Sequence, residues 1–473
     1  MNTLEIRLNT HAVLIAPPSV LAEALKQNLT LTNPKWQENQ RLGRWNKGVS
    51  QYLRYYEENS GELRLPRGSM RRIITQCRQH GIDFAITDER RKRPEVAFEF
   101  KGTLRPFQKE AVSATMKKDF GVLTAPTGAG KTVMALALVA ERRQPTLIVV
   151  HTKDLAAQWA SRIESFLGIP QDEVGLIGGG VCRVGEKITV AMVQSLYKRV
   201  DGVAPLIGNL IVDECHRAPS RTFTEAVTCF DSLYMTGLSA TPWRRDRLSR
   251  VIFMHLGESA HTIEKAPLVD EGHILKAEVR FRLTAFYSDI DGTAHYPKLM
   301  AQLTGDKERN TLIAKDIAKE LPHTPGTLLV LSDRKAHCEN LKTLLLYNHG
   351  IEADLITGDL NKSQRTEALM RLNKGETKVL FATSQLLGEG FDAPCLSTLF
   401  LTYPIRFSGR LLQYLGRVLR PGSGKEKALI VDYVDGEIGI LESAARARLS
   451  VYQKNQIHID QAESLPKEGD ILK

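Results

Sequence analysis

The chain of 473 residues is too long for one hydrophobic core, and its length predicts about three domains. Its contents of 42% hydrophobic and 25% charged residues are ordinary for a globular protein, and no apolar run approaches the roughly 20 residues of a membrane span, which argues against a membrane partner. Since the first residues also lack the basic and apolar layout of a secretion signal, we expect a cytoplasmic protein.

The six cysteines are scattered without a CxxC pair. Neither a zinc module nor a disulfide framework is therefore indicated, and free buried thiols are the preferred interpretation. The formal net charge is +10, and residues 1–101 contain 17 lysines and arginines against 11 aspartates and glutamates. A basic region of this kind indicates a polyanionic partner, although a merely soluble surface explains the charge equally well.

Two tryptophans of this basic region, Trp36 and Trp45, are interleaved with cations in NPKWQENQRLGRWNKG. Aromatic rings next to cations can stack on bases and contact phosphates, which favours nucleic-acid binding. The alternative is that both are core tryptophans beneath a solvated face.

A nuclease signature is a weaker alternative for the same region. Asp83 or Asp88 followed by Glu99-Phe100-Lys101 loosely matches an acid and a later ExK motif. A strand leading into the next domain explains EFKGTLRPFQ more simply.

Short apolar segments alternate with helical patterns from Phe120 onward, which predicts parallel α/β units. One helix is predicted to begin near Lys131, and another to include Leu155 and Trp159. The predicted strands are FGVLTAP, TLIVVHT, ITVAMVQS, NLIVDE and LYMTGLSAT. Together they predict one doubly wound domain.

A second series of the same kind begins after Pro325. Its predicted strands are GTLLVLSD, ADLITGD, KVLFATS, LSTLFLTYP and KALIVDYVD, with helices through Leu341–Leu346 and Ser363–Leu372. The intervening residues 258–306 are irregular and contain the turn-like DIDG. The sequence therefore predicts two α/β domains joined by a linker or small insertion.

The stretch APTGAGKT, residues 125–132, lies at a predicted strand-to-helix junction and nearly matches the phosphate-binding pattern GxxxxGK[ST]. Gly128 and Gly130 allow the loop to wrap a phosphate with backbone N–H groups, and the helix N-terminus favours negative charge. Lys131 is predicted to reach the β and γ phosphates of ATP, and Thr132 to bind Mg²⁺. Ala125 replaces the first glycine of the pattern.

Two acids follow the predicted strand NLIV. Asp213 is predicted to hold Mg²⁺ through water, and Glu214 to polarise the attacking water. A cysteine-histidine dyad is disfavoured because adjacent strand residues point to opposite faces, and zinc lacks further spaced ligands. Cys215 is expected to be a packed bystander.

The order of seven motifs between Leu104 and Lys425 resembles that of the superfamily 2 helicases and translocases of the DEAD/DEAH-related kind. These motifs are APTGAGKT, VVHTKDLAAQW, TVAMVQSL, VDECH, GLSATP, VLFATSQLLGEGFDAP and QYLGRVLRPG. The resemblance implies two tandem RecA-like parallel-sheet motor domains, which ATP closes and hydrolysis reopens, preceded by a small basic N-terminal α+β domain. We assign residues 1–101 to a DNA-recognition-like domain, 102–258 and 307–452 to the motor domains, 259–306 to the linker or insertion and 453–473 to a tail.

The resemblance also implies further ATP-site residues. Gln108 is expected to read the adenine edge, with Arg105 and Phe107 packing nearby. Within the phosphate loop, contacts with ATP are expected from Pro126, Thr127, Gly128, Ala129, Gly130, Lys131 and Thr132. The second motor domain is expected to contribute Gly390, Asp392, Gln413, Arg417 and Arg420. The last three share one helix face, and the two arginines act as fingers on the γ phosphate.

Coupling between the ATP site and domain movement is implied for His216, Ser239 and Thr241. Contacts with the nucleic-acid backbone are implied for His151, Thr152, Lys153, Gln194, Ser195, Gly358 and Arg365. Each of these seven residues has a purely structural role as its alternative.

The resemblance extends to XPB-like helicases, since WRRD at residues 243–246 resembles their Arg-Glu-Asp element. A small N-terminal domain before the two motor domains and a short irregular segment between them also resemble XPB-like and phage UvsW-like DNA helicases. Arg245 stands where that element has an acid. We therefore expect a monomeric DNA helicase or translocase, moving 3′ to 5′ on single-stranded, duplex or branched DNA in repair, recombination or fork processing. The alternatives are an RNA helicase and a nucleic-acid-activated ATPase switch that does not translocate. The sequence identifies no protein partner.

Overall fold

The structure is a computed structural model, and it describes residues 3–217, 221–240, 249–383, 395–405, 411, 414–416, 418, 419, 422, 425 and 427–460. The chain divides into two compact units. The first comprises Met1–Pro126 and Gly130–Ile263, and the second comprises Thr127–Ala129 and Glu264–Lys473. Within the described residues, no helix is both long and apolar enough to cross a membrane.

The first unit begins with a small α+β domain. Its elements are β1 (Leu4–Leu8), β2 (His11–Ile15), α1 (Ser19–Asn28), β3 (Thr30–Thr32), α2 (Pro34–Arg41), β4 (Tyr52–Arg54), β5 (Glu57–Asn59), β6 (Glu62–Pro66), α3 (Met70–Gln79) and β7 (Phe84–Asp88). Five strands form a sheet in the order β5-β6-β2-β1-β7, and β3 pairs with β4 separately. Leu4, Ile6 and Leu8 of β1 are buried while the residues between them are not, which is the alternation expected of a sheet with one covered face.

A doubly wound α/β domain completes the first unit. Its helices are α4 (Pro106–Met116), α5 (Lys131–Arg142), α6 (Lys153–Leu167), α7 (Val193–Leu196), α8 (Val200–Val203), α9 (Arg221–Thr228) and α10 (Ser249–Leu256). Its strands are β8 (Phe120–Thr124), β9 (Thr146–Val150), β10 (Gly175–Gly178), β11 (Val181–Arg183), β12 (Ile188–Met192), β13 (Asn209–Val212), β14 (Tyr234–Ser239) and β15 (Ser259–Thr262).

These eight strands lie in the order β11-β10-β12-β9-β13-β14-β8-β15. All neighbours are parallel except β10 and β11. Every residue of β9 and β13 is buried, as expected for strands that are covered on both faces. Because the central strands run in one direction, the residues that follow them meet at one edge of the sheet.

The N-terminal domain and this α/β domain share one hydrophobic cluster. Val251 and Met254 of α10 pack among buried side chains from β1, β2, α1 and α3. Gly68 lies directly against the end of α10, since a Cβ at this position would be 2.4 Å from the backbone nitrogen of Gly257. The two domains therefore pack backbone to backbone at this point.

Buried and half-buried arginines strengthen the same contact. Arg67, at 2% exposure, donates from Nη1 to the carbonyl of Ser232 at 2.8 Å, and its guanidinium lies 5.8 Å from the centroid of the Phe120 ring. Burial lowers the pKa of Arg67 to about 9. Arg90 binds Asp119 at 2.8 Å, so the segment leaving β7 is also fixed to the α/β domain.

The second unit is a further α/β domain. Its helices are α11 (Lys265–Asp270), α12 (Tyr296–Gly305), α13 (Lys307–Glu320), α14 (Lys335–His349), α15 (Lys362–Asn373) and α16 (Gly439–Lys454). Its strands are β16 (Lys276–Leu283), β17 (Thr327–Ser332), β18 (Asp354–Ile356), β19 (Val379–Thr383), β20 (Leu396–Leu401), β21 (Lys427–Val434) and β22 (His458–Ile459). They form a parallel sheet in the order β18-β19-β17-β20-β21-β16-β22.

The predicted fold class is confirmed, with two parallel-sheet α/β domains after a small α+β domain. Within the segment predicted as a linker, however, β15 is an edge strand of the first sheet and β16 pairs with β21 of the second. The start of the predicted tail contributes β22. The strand proposed for EFKGTLRPFQ is wrong: residues 98–105 form no strand, and Lys101 donates its backbone N–H to Phe166 at 2.8 Å instead.

A buried histidine in the contact between the first two domains predicts a pH dependence of stability. His255 of α10 lies edge-on to Tyr55, and its Nε2 has no hydrogen-bond partner among the described residues. Burial lowers the pKa of His255 to about 4. As pH falls from about 6.5 to about 4, the unfolded chain binds a proton that the folded chain does not, so the free energy of unfolding should fall by about 3 kcal/mol from this group.

Thermal unfolding of His255→Phe and of the parent chain, measured between pH 8 and pH 4.5, checks this expectation. The parent should lose stability more steeply below pH 6.5 than the variant. His349→Phe removes an exposed histidine and serves as the control, which should follow the parent. Parallel curves for the parent and His255→Phe would contradict the assignment.

Candidate active site

The loop at residues 125–130 connects β8 to α5. Gly128 and Gly130 have left-handed backbone conformations, with φ of +93° and +85°. Residues with a Cβ adopt this conformation at a cost, so glycine is required at these turns. Gly130 is the N-cap of α5, and the first N–H groups of a helix have no acceptor within it. The loop therefore presents backbone donors and the positive end of a helix dipole, which together favour an anion such as phosphate.

The amide of Gln108 lies against this loop. A Cβ on Gly130 would approach Gln108 Nε2 to 2.5 Å, so the glycine also permits close packing. Gln108 is buried in the first turn of α4, and its Oε1 accepts from the backbone N–H of Arg105 at 2.9 Å. Phe107 is half-buried beside it. The residues expected to surround the adenine are thus attached to the loop expected to hold the phosphates.

Lys131 and Thr132 begin α5 directly after the loop. Lys131 Nζ donates to the carbonyl of Ala125 at 3.2 Å, across the base of the loop. The ammonium is also close enough to Asp213 to lower the pKa of that carboxyl. Lys131 therefore places its charge between the phosphate loop and the acid at the end of β13.

Asp213 is a buried carboxylate at the carboxyl end of β13. Its Oδ2 accepts from the indole Nε1 of Trp159 at 2.9 Å, and its Oδ1 accepts from the backbone N–H of Glu214 at 2.9 Å. Burial and the neighbouring charge of Glu214 raise the pKa of Asp213 to about 6, although the Trp159 bond and Lys131 oppose that shift. A cation beside Asp213 would favour its charged form.

Glu214 has an unusual backbone conformation, with φ of +48°. A non-glycine residue in this region is strained, and such strain is common at functional sites. Its carboxylate lies 3.1 Å from His216 Nδ1, which is 3.3 Å from the hydroxyl of Ser239. Glu214, His216 and Ser239 therefore form a polar chain from the end of β13 to the end of β14.

Cys215 takes no part in this polar chain. Its side chain is fully buried, and a Cβ on Gly237 of β14 would lie 3.0 Å from its Sγ. Burial raises the pKa of the Cys215 thiol well above its usual range, so the group is neutral and unreactive at ordinary pH.

The side chains present fit a nucleoside triphosphate with Mg²⁺. The glycine loop and Lys131 match phosphates in shape and charge, while Thr132 and Asp213 are the residues that could supply oxygens to the metal. In the described ranges, no three His, Cys, Asp or Glu side chains form a metal-binding group. Mg²⁺ does not require one, because one or two protein oxygens together with phosphates and water usually hold it.

Two further predicted segments follow β9, the neighbour of β13, and β12, which pairs with the other side of β9. The hydroxyl of Thr152 caps α6 by accepting from the backbone N–H of Leu155 at 3.3 Å, and Lys153 begins that helix. Gln194 Nε2 donates to the carbonyl of His151 at 3.5 Å, and Ser195 is its neighbour on α7. The fold thus brings both segments to the carboxyl edge of the sheet, beside the candidate ATP site.

Comparison with known protein families identifies both α/β domains. Residues 101–244 match the family described as "Type III restriction enzyme, res subunit", and residues 309–422 match the "Helicase conserved C-terminal domain". The chain belongs to the superfamily 2 helicases. It is accordingly an ATP-dependent enzyme of the helicase type.

Relatives of this helicase are named for different nucleic acids. It is 29% identical to "DNA 3'-5' translocase XPB2" of Sulfurisphaera tokodaii over 364 residues, which is 70% of this chain and 81% of that protein. It is 27% identical over 391 residues to "Putative ATP-dependent RNA helicase L396" of Acanthamoeba polyphaga mimivirus, with 79% of this chain and 72% of that protein covered. S. cerevisiae Dbp5, solved with RNA and ADP BeF3, shares the fold at a TM-score of 0.53 and 14% identity, over 75% of this chain and 88% of that chain.

The second unit of the helicase contributes two described residues from the prediction. Gly358 is exposed in the turn after β18, and Arg365 lies in α15, whose N-cap Asn361 accepts from the backbone N–H of Gln364. Several other predicted residues lie outside the described ranges. They are Thr241, Gly390, Asp392, Gln413, Arg417 and Arg420, together with the WRRD element.

The nuclease alternative gains no support from the fold of the helicase. Asp88 binds Arg90 at 2.7 Å, and Phe100 stacks on Phe166 of α6. Lys101 is likewise directed to the end of α6, where a Cβ on Gly168 would lie 2.5 Å from its Nζ. Asp88 is therefore paired with an arginine, and Phe100 and Lys101 of the ExK motif pack against α6 and its C-terminal end.

Trp159 is a site residue whose function the sequence did not reveal. Its place in a predicted helix was clear, but its bond to Asp213 joins residues 54 positions apart. A tryptophan on the buried face of an amphipathic helix usually indicates core packing alone. The only signal in the sequence was Asp213 itself. Its carboxylate was expected to be buried, and a buried carboxylate needs a hydrogen-bond donor.

We predict that Trp159→Phe destabilises the first unit by about 1–3 kcal/mol, because it leaves a buried acceptor on Asp213 without its donor. Chemical unfolding of the nucleotide-free protein at pH 8 measures this cost. Trp36→Phe, at a half-buried tryptophan of the N-terminal domain, is the matched control and should cost less. In a double-mutant cycle, Asp213→Leu should remove most of the effect of Trp159→Phe, and additive effects would contradict the proposed bond.

Proposed function

We propose that this helicase is an ATP-dependent DNA helicase or translocase that moves along or remodels DNA in repair, recombination or fork processing. The observation that carries the proposal is the arrangement at the carboxyl edge of the first α/β sheet. Lys131 and Asp213 lie together there, and the His151 and Gln194 segments follow neighbouring strands. A phosphate-binding loop and a polar surface on the same sheet edge allow ATP use to be linked to movement on a nucleic acid.

In the proposed mechanism, the glycine loop and Lys131 bind the ATP phosphates, and Thr132 and Asp213 hold Mg²⁺. When bound, the metal neutralises charge on the phosphate oxygens. Glu214 orients and polarises the water that attacks the γ phosphate. Gln108, with Arg105 and Phe107 nearby, binds the adenine, while Trp159 keeps the Asp213 carboxylate in position.

His216 and Ser239 are proposed to couple hydrolysis to movement. His216 lies between the Glu214 carboxylate and the Ser239 hydroxyl, at 3.1 and 3.3 Å. A change in the hydrogen bonding of Glu214 therefore alters the end of β14, where the SATP motif begins. Thr241, Gly390, Asp392, Gln413, Arg417 and Arg420 keep the roles implied by the family resemblance.

The nucleic-acid backbone is proposed to contact polar residues in both units. In the first unit these are His151, Thr152, Lys153, Gln194 and Ser195, and in the second they are Gly358 and Arg365. The similarity to a protein named as a DNA 3′-5′ translocase supports DNA and that polarity. The similarity to a protein named as an RNA helicase favours RNA as the second candidate.

We further propose the functional division into residues 1–101, 102–258 and 307–452, acting as a monomer. The basic N-terminal domain then serves in recognition of DNA. Residues 259–306 connect the two motors while adding a strand to each sheet.

We predict that Lys131→Ala and Glu214→Gln each lower the ATPase rate by roughly 10² to 10³, because each removes a group acting on the reacting phosphate or water. Binding of DNA without ATP should be largely retained, since neither residue belongs to the proposed DNA contacts. Steady-state ATPase assays and filter binding measure the two properties. The controls are Lys117→Ala, at the C-cap of α4, and Glu141→Gln, within α5. Both residues are exposed. Normal turnover by Glu214→Gln would refute its assignment.

We predict that single-stranded, duplex or branched DNA stimulates the ATPase of the wild-type protein more than RNA does. Rates measured at a stated salt concentration test this, because phosphate-driven binding falls steeply with salt. Stimulation by RNA alone would overturn the assignment to DNA. Displacement of a triplex-forming strand under ATP tests translocation, and robust hydrolysis without displacement would instead indicate a switch that does not translocate.

A further inference from the structure

We propose that the N-terminal domain carries a second nucleic-acid site, in which Trp45 stacks on an unpaired base and the surrounding cations contact phosphates. The site is formed by the Trp45 loop, residues 42–51, together with α2 and β4. It rests on the proposed function, since it requires a nucleic-acid substrate, and it adds a single-stranded contact on a different domain from the motor segments.

The exposure of Trp45 is the first observation. Its side chain is 82% exposed, and the neighbouring Leu42 and Tyr52 are 46% and 47% exposed. Tryptophan is highly buried on average, because its large ring gains much from leaving water. Trp45 is therefore not a core residue, and the core alternative from the sequence is wrong for this position.

The loop that presents Trp45 is well bonded. At its base, the Asn33 side chain donates to the carbonyl of Ser50 at 2.8 Å. Within it, Asn39 donates to the side chain of Asn46 at 2.9 Å, and Asn46 donates to the carbonyl of Trp36 at 3.3 Å. Side-chain bonds of this kind fix the path of a loop. The indole is consequently held in solvent by a structured loop.

The charge around Trp45 is almost entirely positive. The segment from residue 33 to residue 54 has one acid, Glu38, and five exposed cations, Lys35, Arg41, Arg44, Lys47 and Arg54. In the described part of the chain, none of the five is paired with a carboxylate, whereas Lys26 and Arg64 of the same domain bind Glu58 and Glu62. Cations without carboxylate partners around an exposed ring are the features that bind single-stranded nucleic acid.

The ammonium of Lys47 lies over the Trp45 ring. Its Nζ lies 5.3 Å from the centroid of the Trp45 ring, within cation–π range. An ammonium close to the ring can hold the indole in place and also meet a phosphate of a strand whose base stacks on it. Stacking requires a base that is not covered by its neighbours, so the favoured ligand is a single strand or an unpaired segment.

The residues around Trp45 also favour a nucleic acid over a membrane surface or a protein partner. An interfacial membrane helix needs a broad apolar face, and Trp36 is the only large apolar residue within α2. Protein interfaces are depleted in lysine at their centre, whereas Lys47 is next to the ring here. The observations therefore favour a strand with regularly spaced negative charges.

The experiment uses the full-length protein without ATP and a short fluorescent oligo(dT) strand, with the matching RNA and a blunt DNA duplex as further probes. Trp45→Ala should weaken binding of the single strand roughly tenfold, as expected for one lost base stack, and should leave duplex binding nearly unchanged. Trp45→Phe should retain most of the affinity. Tyr347→Ala removes an aromatic residue that is 88% exposed in the second unit, and it should behave as wild type.

The charges are tested with the double variant Arg44→Ala/Lys47→Ala. The slope of log affinity against log salt should become less negative by about 1.4 for single-stranded DNA, because two phosphate contacts are lost. ATPase activity without nucleic acid should be unchanged in this variant and in Trp45→Ala. Circular dichroism and the thermal midpoint establish that both variants are folded.

The outcomes distinguish this inference from the proposed function. Wild-type binding to single strands with no loss in Trp45→Ala or in the double variant would overturn the Trp45 site alone. A wild-type protein that binds no nucleic acid would overturn the proposed function as well. Binding of wild-type protein to anionic phospholipid vesicles that depends on Trp45, with unchanged affinity for oligo(dT), would assign the loop to a lipid surface and contradict the proposal.

Discussion

The buried Asp213 carboxylate is the group around which the candidate active site is arranged. Its burial disfavours charge, while the Trp159 indole, the Glu214 amide and Lys131 favour it. Because these influences oppose each other, a bound cation would readily favour the charged, deprotonated form of Asp213. The same carboxylate accepts from the backbone N–H of Glu214 at the turn where Glu214 has its left-handed conformation, so it helps to position Glu214 next to His216.

The parts of the site that depend on local sequence were predictable. The strand, the glycine turn and the start of α5 all lie within about twenty residues, and the acids directly follow a run of apolar residues. The contact between Trp159 and Asp213 was not predictable, because nothing in the sequence near Trp159 indicates it. Gln108 was assigned to the ATP site through the family resemblance alone, and its closeness to Gly130 is a tertiary feature. The edge strand β15 and the strand β16, which lies beside the short edge strand β22, were also missed, since neither has the continuous apolar pattern of the central strands.

The N-terminal domain shows a different limit of sequence analysis. Trp36 and Trp45 stand in nearly the same pattern of polar and basic neighbours, yet one is half-buried and the other is largely exposed. Trp45 lies in a loop held by hydrogen bonds of asparagines, whose partners are not evident from the sequence. The position of Arg67 and Gly68 against the α/β domain is likewise a tertiary feature.

The contact of Arg67 and Gly68 with the first α/β domain means that the N-terminal domain cannot be removed without exposing apolar surface. A chain shortened to begin after residue 101 would leave Val251 and Met254 of α10 in water and would remove the Arg67 guanidinium from the Phe120 ring. The first α/β domain alone would therefore carry an exposed apolar patch. An exchange of the N-terminal domain for an unrelated domain would therefore require a new surface on the first α/β domain.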